Sequence, residues 1–253
     1  MSQPQEKQEP QIVTIRALAD NYAYLLHANG QTALFDAPEA APVLDALREI
    51  GWSLDLIVLT HHHDDHIQAV PELVAATGAR VIGNRDDAHR LPPLDEAVGP
   101  GDEITICGLN AQVIDVPGHT IGHVAYYIAD ANAAFTGDSL MALGCGRLFE
   151  GDAAVMWESL GRLDALPEDT LICSGHDYCA SNGRFALSVD PENAALRARL
   201  EATQAGRLPC APATLAEERA TNPFLRAGAL GPAMGLDDPA AAFARLRQMK
   251  DEF

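Results

Sequence analysis

Short segments of apolar residues, separated by turn-forming residues, run through the first two thirds of the chain and predict β-strands. Residues 12–36 contain three such segments, with Asn29-Gly30 as a hairpin turn between the second and third. The apolar segment at 54–59, interrupted only by Asp55, predicts a buried strand. Further strands are expected over residues 79–83, 103–107, 111–116, 124–129, 133–136 and 170–173.

Helical spacing of apolar residues is found within this part and dominates the rest of the chain. Helices are predicted at 42–50 and 70–76, each followed by a glycine, and from Asp152, a capping residue, to about 165. After Tyr178 we expect helices only, at 179–188, 191–205 and 238–251. The predicted organisation is a flexible tail at 1–10, a β-rich domain at 11–170 and a helical domain at 171–253.

Composition restricts the classes of function. The net charge of -19 argues against nucleic-acid binding, which needs a basic surface. There is no apolar run of membrane-spanning length, and residues 1–10 lack the apolar core of an export signal. The five cysteines have unpatterned spacings, so we expect reduced thiols in a cytoplasmic protein rather than disulfides.

The strand at 54–59 leads directly into the run T-H-H-H-D-D-H at residues 60–66. In extended backbone, His61 and His63 point to one side and His62 to the other. A turn after His63 can bring Asp65 and His66 to the same cavity. The spacing H-x-H-x-D-H therefore indicates two pairs of metal ligands, whereas a solvated charged loop is the alternative.

Three more polar residues follow strands, namely His119 after Pro-Gly, Asp138 after Gly and His176 after Gly. Each is ordinary in a turn when taken alone, but together with the opening run they supply enough ligands for two divalent ions that share a carboxylate. Zinc is the expected metal, with iron or manganese as alternatives, because the set is histidine and carboxylate without thiolate. His27, His89 and His123 are expected in surface, core or supporting positions.

These motifs resemble those of the metallo-β-lactamase superfamily and, more narrowly, of the hydroxyacylglutathione hydrolases (glyoxalase II). The narrower resemblance lies in the segments 19–22 (ADNY), 144–151 (GCGRLFEG), 175–178 (GHDY), 221–224 (TNPF) and 247–251 (RQMKD). The resemblance implies an α/β fold, a four-layer αββα sandwich at 11–170 followed by a C-terminal α-helical, glutathione-binding domain at 171–253.

The resemblance also implies roles for individual residues. One metal ion would be held by His61, His63 and His119, and the other by Asp65, His66 and His176, with Asp138 bridging. Asp36 would orient a ligand histidine, although a strand-end turn is an equal alternative. The residues implied in glutathione binding are Arg147, Phe149, Tyr178, Arg247 and Lys250. For the last two, favourable placement in a final helical turn is the alternative.

The implied reaction is hydrolysis of S-(2-hydroxyacyl)glutathione, such as S-D-lactoylglutathione, the second step of methylglyoxal detoxification. A water bridging two metal ions has its pKa lowered from 15.7 towards roughly 7 and becomes the nucleophile, with Asp65 and Asp138 as the catalytic carboxylates. Glutathione is a net anion, so local cations are needed in so acidic a chain. The alternatives are another hydrolase or lactonase of the superfamily, a mononuclear iron dioxygenase of glutathione persulfide, and a non-catalytic binding module. A monomer is expected.

Overall fold

The computed structural model describes residues 9–253, so nearly all of the predicted tail at 1–10 lies outside the described residues. The first of two six-stranded sheets follows the chain order without interruption. Its strands are β1 (Gln11–Ala17), β2 (Asn21–Ala28), β3 (Gln31–Phe35), β4 (Leu56–Val58), β5 (Arg80–Asn84) and β6 (Glu96–Val98). The first three pair antiparallel and the remainder parallel. The parallel pairs require crossovers. Helix α1 (Ala40–Ile50) joins β3 to β4, helix α3 (Val70–Thr77) joins β4 to β5, and the segment 85–95 joins β5 to β6 without an α-helix.

The second sheet has the order β14-β13-β10-β9-β8-β7. Its members are β7 (Glu103–Ile106), β8 (Leu109–Asp115), β9 (Val124–Ile128), β10 (Ala133–Gly137), β13 (Leu171–Ser174) and β14 (Ala213–Thr214). Strand β13 runs parallel to β10 after a crossover through helix α4 (Ala153–Asp164), which Asp152 caps as predicted. A separate two-stranded hairpin, β11 (Leu140–Met141) and β12 (Gly144–Cys145), leaves the end of β10.

The two sheets pack face to face, and helices cover their outer faces. Phe35 of the first sheet stacks on Phe135 of the second, with 3.4 Å between the ring centroids. On the outer face of the first sheet, Leu25 and Leu34 share a buried cluster with Leu73 of α3. A third cluster covers the second sheet with residues of α4 and the C-terminal helices. The predicted four-layer αββα sandwich is therefore confirmed.

Five helices follow β13: α5 (Cys179–Val189), α6 (Ala194–Gln204), α7 (Leu215–Thr221), α8 (Ala227–Leu230) and α9 (Pro239–Glu252). Three of them match the predicted helices closely. The expectation of helices only after Tyr178 is wrong, because β14 pairs with β13. A strand of two residues is too short to show an alternating pattern. Since β13 and β14 both follow residue 170, the second sheet draws strands from either side of the predicted domain limit, and that limit stays a prediction.

The expectation of five reduced cysteines is also wrong for two of them. Cys179, at the start of α5, forms a disulfide with Cys210, 31 residues later in the sequence and 5.9 Å away between Cα atoms. The remaining three cysteines are free and buried. Spacing along the chain could not reveal the pair, because the fold after α6 brings Cys210 back to α5.

Within residues 9–253, every helix is too short or too polar to cross a membrane.

Candidate metal centre and substrate cavity

The histidine run leaves the carboxyl end of β4, at the sheet edge where parallel strands place functional loops. The backbone is extended at His63 and then enters the single-turn helix α2 (Asp64–Ile67), which is the predicted change from strand to turn. The imidazole of His62 turns away and lies 3.2 Å from the buried carboxylate of Asp87. His62 is therefore separated from its two neighbours, as predicted.

The structure brings the seven predicted ligands together in two groups joined by one carboxylate. In the first group, Nδ1 of His63 is 3.1 Å from Nε2 of His61 and 2.9 Å from Nε2 of His119. In the second group, Oδ2 of Asp65 is 3.6 Å from Nε2 of His66 and 3.3 Å from Nε2 of His176. In each group, the three ligand atoms lie close enough together for one cation to bind all of them.

Asp138 lies between the two groups. Its Oδ2 is 3.4 Å from Nε2 of His119 in the first group and 3.3 Å from Nε2 of His176 in the second. Its Oδ1 is 3.5 Å from Nε2 of His66. Within residues 9–253, Oδ1 is buried and accepts no hydrogen bond. A buried carboxylate oxygen without a partner is costly, and a divalent cation would satisfy it.

Hydrogen bonds behind the rings leave the inward-facing nitrogens free to bind a cation. Nδ1 of His66 donates to Asp36 Oδ2 at 2.8 Å, and Nδ1 of His119 donates to the Arg147 carbonyl at 2.7 Å. Nδ1 of His176 donates to Asp20 Oδ1 at 3.0 Å. A proton on Nδ1 leaves the lone pair on Nε2, which is the tautomer that a metal ion requires.

Asp36 lies at a strand end and also beside a candidate ligand histidine, so its position fits both interpretations of the sequence. It ends strand β3 with a positive φ of 58°, and it contacts His66. Its carboxylate also accepts from the backbone N–H and the hydroxyl of Thr60, both at 2.8 Å. These bonds tie the end of β3 to the residue that starts the histidine run.

The sequence analysis gives no specific partner to three residues that support the candidate ligands. Asn21 donates from Nδ2 to Oδ2 of Asp65 at 3.0 Å, and Asp20 holds His176. His123 accepts from the backbone N–H of Asp138 at 3.0 Å, while its ring stacks on His61. Asp20 and Asn21 belong to the segment 19–22, which carries part of the family resemblance and has no ligand spacing of its own. His123 was placed among possible supporting histidines, without a partner.

The charges of the cluster favour a bound cation. Burial lowers the pKa of His61 well below its ordinary value and lowers that of His123 to about 3, so both rings are neutral. Burial also disfavours charge on His176, but hydrogen bonds to Asp138 and Asp65 outweigh it and raise the pKa to about 11. The carboxylates thus demand positive charge beside them, which is what a divalent cation supplies.

Two glycines leave room for this arrangement. A Cβ at Gly175 would collide with Oδ1 of Asp138 and would lie 2.7 Å from Cε1 of His66. A Cβ at Gly146 would collide with the carbonyl oxygen of Asp138. Both positions therefore require glycine, because the carboxylate of Asp138 packs against Gly175 and the backbone carbonyl of Asp138 packs against Gly146.

A cavity of about 420 Å³ opens from the cluster and reaches the C-terminal helices. Its wall includes all five residues that we predicted to bind the substrate, namely Arg147, Phe149, Tyr178, Arg247 and Lys250. Phe149 is 61% exposed and its ring meets those of His63 and His119 edge-on. The ring of Tyr178 stacks on that of His176 at 4.7 Å.

The three cations of the cavity differ in their freedom. Arg147 has a side chain that is 62% exposed, so it can reach a ligand. Arg247 is buried and already paired, since it donates to the Cys145 carbonyl at 3.2 Å and to Asp251 at 2.8 Å. Lys250 donates to the Ser181 carbonyl at 3.3 Å, and burial lowers the pKa of its ammonium group.

Comparison with known proteins decides the family. Residues 18–176 match the model of the metallo-β-lactamase superfamily, and residues 177–253 match the model described as hydroxyacylglutathione hydrolase C-terminus. A relative named hydroxyacylglutathione hydrolase from Fuscovulum blasticum is 59% identical, with 96% of this chain and 98% of the relative aligned. One from Jannaschia sp. (strain CCS1) is 56% identical, over 97% of this chain and 99% of the relative. The chain belongs to the hydroxyacylglutathione hydrolase family.

Solved structures agree with this family's fold. The crystal structure of ETHE1 from Myxococcus xanthus aligns with a TM-score of 0.69 and 27% identity, covering 94% of this chain and 90% of that one. In this chain, the two matched segments meet between His176 and Asp177, directly after the last candidate ligand. The superfamily fold and the two groups of histidine and aspartate make this a site for divalent metal ions.

Proposed function

We propose that this protein hydrolyses S-(2-hydroxyacyl)glutathione thioesters, such as S-D-lactoylglutathione, to glutathione and a 2-hydroxy acid. Relatives of nearly equal length, more than half identical to this chain, carry the name of that activity. The observation that carries the proposal is the cavity itself, which joins the candidate metal ligands to a group of cations in a chain of net charge -19. An anionic thioester can place its carbonyl at one end and its carboxylates at the other.

The seven residues His61, His63, Asp65, His66, His119, Asp138 and His176 would hold two divalent ions, with Asp138 shared between them. Two bound cations would lower the pKa of a water to roughly 7, polarise the thioester carbonyl and stabilise the negative charge of the transition state. The donor set fits zinc, which we propose as the native metal. Iron is an alternative, since a structurally similar protein, TTHA1623, was solved in a di-iron-bound form, with 29% identity over 66% of this chain.

The protein side chains hold the reacting groups in place. Asn21 fixes the carboxylate of Asp65, which lies at the cavity wall and can accept a hydrogen bond from the attacking water. The thioester gains a C–O bond and loses its C–S bond, and the leaving sulfur takes a proton to become glutathione. Phe149 and Tyr178 shield the reaction centre from two sides, because each ring packs on a ligand histidine.

Arg147 and Lys250 would bind the carboxylates of glutathione. Arg247, which is buried and paired with Asp251, would act chiefly by shaping the wall of the cavity and adding to its positive potential. This division of roles decides which substitutions are informative. Removal of Arg247 would disturb the packing around it, whereas Arg147 can be changed without a cavity in the core.

The proposal is tested by elemental analysis of the purified protein together with an assay of S-D-lactoylglutathione hydrolysis. We expect about two metal ions per chain and activity that disappears with chelation and returns with zinc. Absence of thioester hydrolysis after reconstitution with zinc, iron or manganese would refute the proposed activity. Oxygen uptake with glutathione persulfide in place of hydrolysis would favour a dioxygenase instead.

The substrate-binding roles need a separate comparison. The double variant Arg147→Met, Lys250→Met removes two charges and keeps most of the apolar stems, so KM should rise at least about tenfold, with a smaller change in kcat. A matched control is Arg80→Met, Arg162→Met, which removes the same charge from surface ion pairs with Glu96 and Asp115. Equal KM in the two double variants would contradict these roles.

A monomeric cytoplasmic enzyme completes the proposal. Both metal-ligating groups and the cations of the cavity come from one chain, so catalysis needs no second subunit. Light scattering during size-exclusion chromatography measures the oligomeric state, and cell fractionation measures the location.

A further inference from the structure

A buried polar network joins helix α7 to the hairpin formed by β11 and β12. Glu218 is fully buried, and its Oε1 accepts from the guanidinium of Arg199 at 2.5 Å. Its Oε2 accepts from the backbone N–H of Leu143 at 2.9 Å and from Nδ2 of Asn222 at 3.0 Å. A buried carboxylate that is paired and hydrogen-bonded in this way favours a single arrangement of its partners.

Asn222 holds the same hairpin from a second side. Its Nδ2 lies 3.0 Å from the carbonyl of Met141 in β11 and 2.9 Å from that of Gly144 in β12. Its Oδ1 accepts from the backbone N–H of Phe224 at 3.0 Å. The segment 221–224, which contributes to the family resemblance but has no part in the proposed reaction, therefore has a structural partner.

The turn of the hairpin is in a conformation that needs such support. Leu143 has a φ of +58° and is fully buried, although a bulky residue rarely occupies the left-handed region. A strained conformation of this kind persists only where the surroundings determine it. The carboxylate of Glu218 accepts the N–H of this very residue, so it stabilises the strained turn directly.

The hairpin is one wall of the substrate cavity. Met141 and Cys145 line the cavity, and the next two residues, Gly146 and Arg147, continue the wall. The carbonyl of Cys145 accepts from Arg247. Among residues 9–253, Glu218 and Asn222 are not part of the cavity wall. Both can therefore act on the substrate only through the hairpin.

We propose that Glu218 and Asn222 are positioning residues that hold the β11–β12 hairpin as a fixed wall of the glutathione-binding cavity. Loss of this support would loosen the wall and weaken substrate binding, while the metal ligands, most of which belong to other loops, would remain in place. The catalytic part of this inference rests on the proposed function, whereas the structural part does not.

The test is Glu218→Gln, which keeps the size of the side chain. All three partners of the carboxylate are donors, so the amide NH₂ must face a donor in either orientation. We expect hydrogen–deuterium exchange in peptides covering residues 139–147 to become at least about tenfold faster. KM for S-D-lactoylglutathione should rise about tenfold, with kcat within about threefold and the metal content unchanged.

The matched control is Asp164→Asn. Asp164 accepts from Arg219, the residue next to Glu218 on α7, at 2.7 Å, and this pair joins α7 to the end of α4. The control should leave exchange at 139–147 and KM as they are in the parent protein. Unchanged exchange in folded Glu218→Gln, or the same shifts in Asp164→Asn, would overturn the inference.

Asn222→Ala provides a second route if Glu218→Gln does not fold, because it leaves the Arg199–Glu218 pair intact. The same faster exchange and higher KM are expected. Failure of both variants to fold would also overturn the inference, since the network would then support the whole fold rather than the hairpin. If the parent protein does not hydrolyse the thioester, the proposed function fails, but the exchange measurement still decides whether the network holds the hairpin.

Discussion

Replacing Asp36 by asparagine tests how the metal centre is built, because the change of carboxylate to amide should move the proton of His66 from one ring nitrogen to the other. In Asp36→Asn the Oδ1 atom can still accept from the Thr60 N–H, and the new NH₂ group takes the place of Oδ2. That group would then face Nδ1 of His66, which now donates to Oδ2 at 2.8 Å. Two donors repel, so the proton of His66 would move to Nε2 and block the lone pair that a metal ion needs. The opposite amide orientation would set the NH₂ group against the Thr60 N–H.

The size of the effect follows from these contacts. A hydrogen bond to a charged group contributes about 1.5–3 kcal/mol, and the variant loses the one that sets the tautomer of His66. Loss of a supporting partner behind a metal ligand usually lowers metal affinity by about 10–100-fold, or about 1.4–2.7 kcal/mol. Asparagine also tolerates the positive φ of 58° at this position, so the backbone should not change.

Competition with a chromophoric chelator measures the two metal dissociation constants. We expect one of them to rise about 10–100-fold in Asp36→Asn, with the far-UV spectrum unchanged. Asp55→Asn is the control, since Asp55 also accepts a backbone N–H, that of Thr32 at 2.8 Å, at the opposite end of β4. Parent-like affinity at both sites in Asp36→Asn would refute the tautomer argument.

Four further outcomes are expected. The Gly175→Ala variant should fold but bind fewer metal ions per chain than the parent protein, because the new Cβ would displace the Asp138 carboxylate. The same metal content as in the parent, measured by elemental analysis, would contradict this. Chelation of the metal ions should lower the Tm by about 10 °C. A metal ion at about 1,000 times its Kd stabilises the fold by about 4 kcal/mol, and the Tm of a chain of this size changes by about 2–4 °C per kcal/mol. An unchanged Tm in calorimetry would argue against a contribution of metal to stability. Phe149→Ala should raise KM while changing unfolding free energy by less than about 0.5 kcal/mol, because the side chain is exposed; a large loss of stability in urea would contradict this. A thiol reagent should modify none of the three free cysteines in the native protein and all three after unfolding. Cys179 and Cys210 should react only after their disulfide is reduced, and mass spectrometry counts the modified residues.

The order of residues along the chain was sufficient to predict the candidate ligands. His61 to His66 follow a buried strand directly, and His119, Asp138 and His176 each follow a strand with a glycine before them. Strand ends can be recognised locally, and parallel strands bring their carboxyl ends to the same edge of a sheet. The long helices α4, α5 and α9 were predictable for the same reason, because the spacing of apolar residues along a helix is a local property of the sequence.

Contacts between distant segments were beyond the reach of sequence patterns. Asp20 meets His176 across 156 residues, Asn21 meets Asp65 across 44, and Glu218 meets Leu143 across 75. The disulfide of Cys179 depends equally on the return of the chain after α6. The sequence by itself determined which residue types could bind metal and where the strands placing them end, since both are local properties. Only the tertiary structure decided which ring nitrogens are free to bind metal and how the wall of the cavity is held. Both depend on hydrogen bonds between distant segments, which become neighbours only when the sheets and the C-terminal helices pack together.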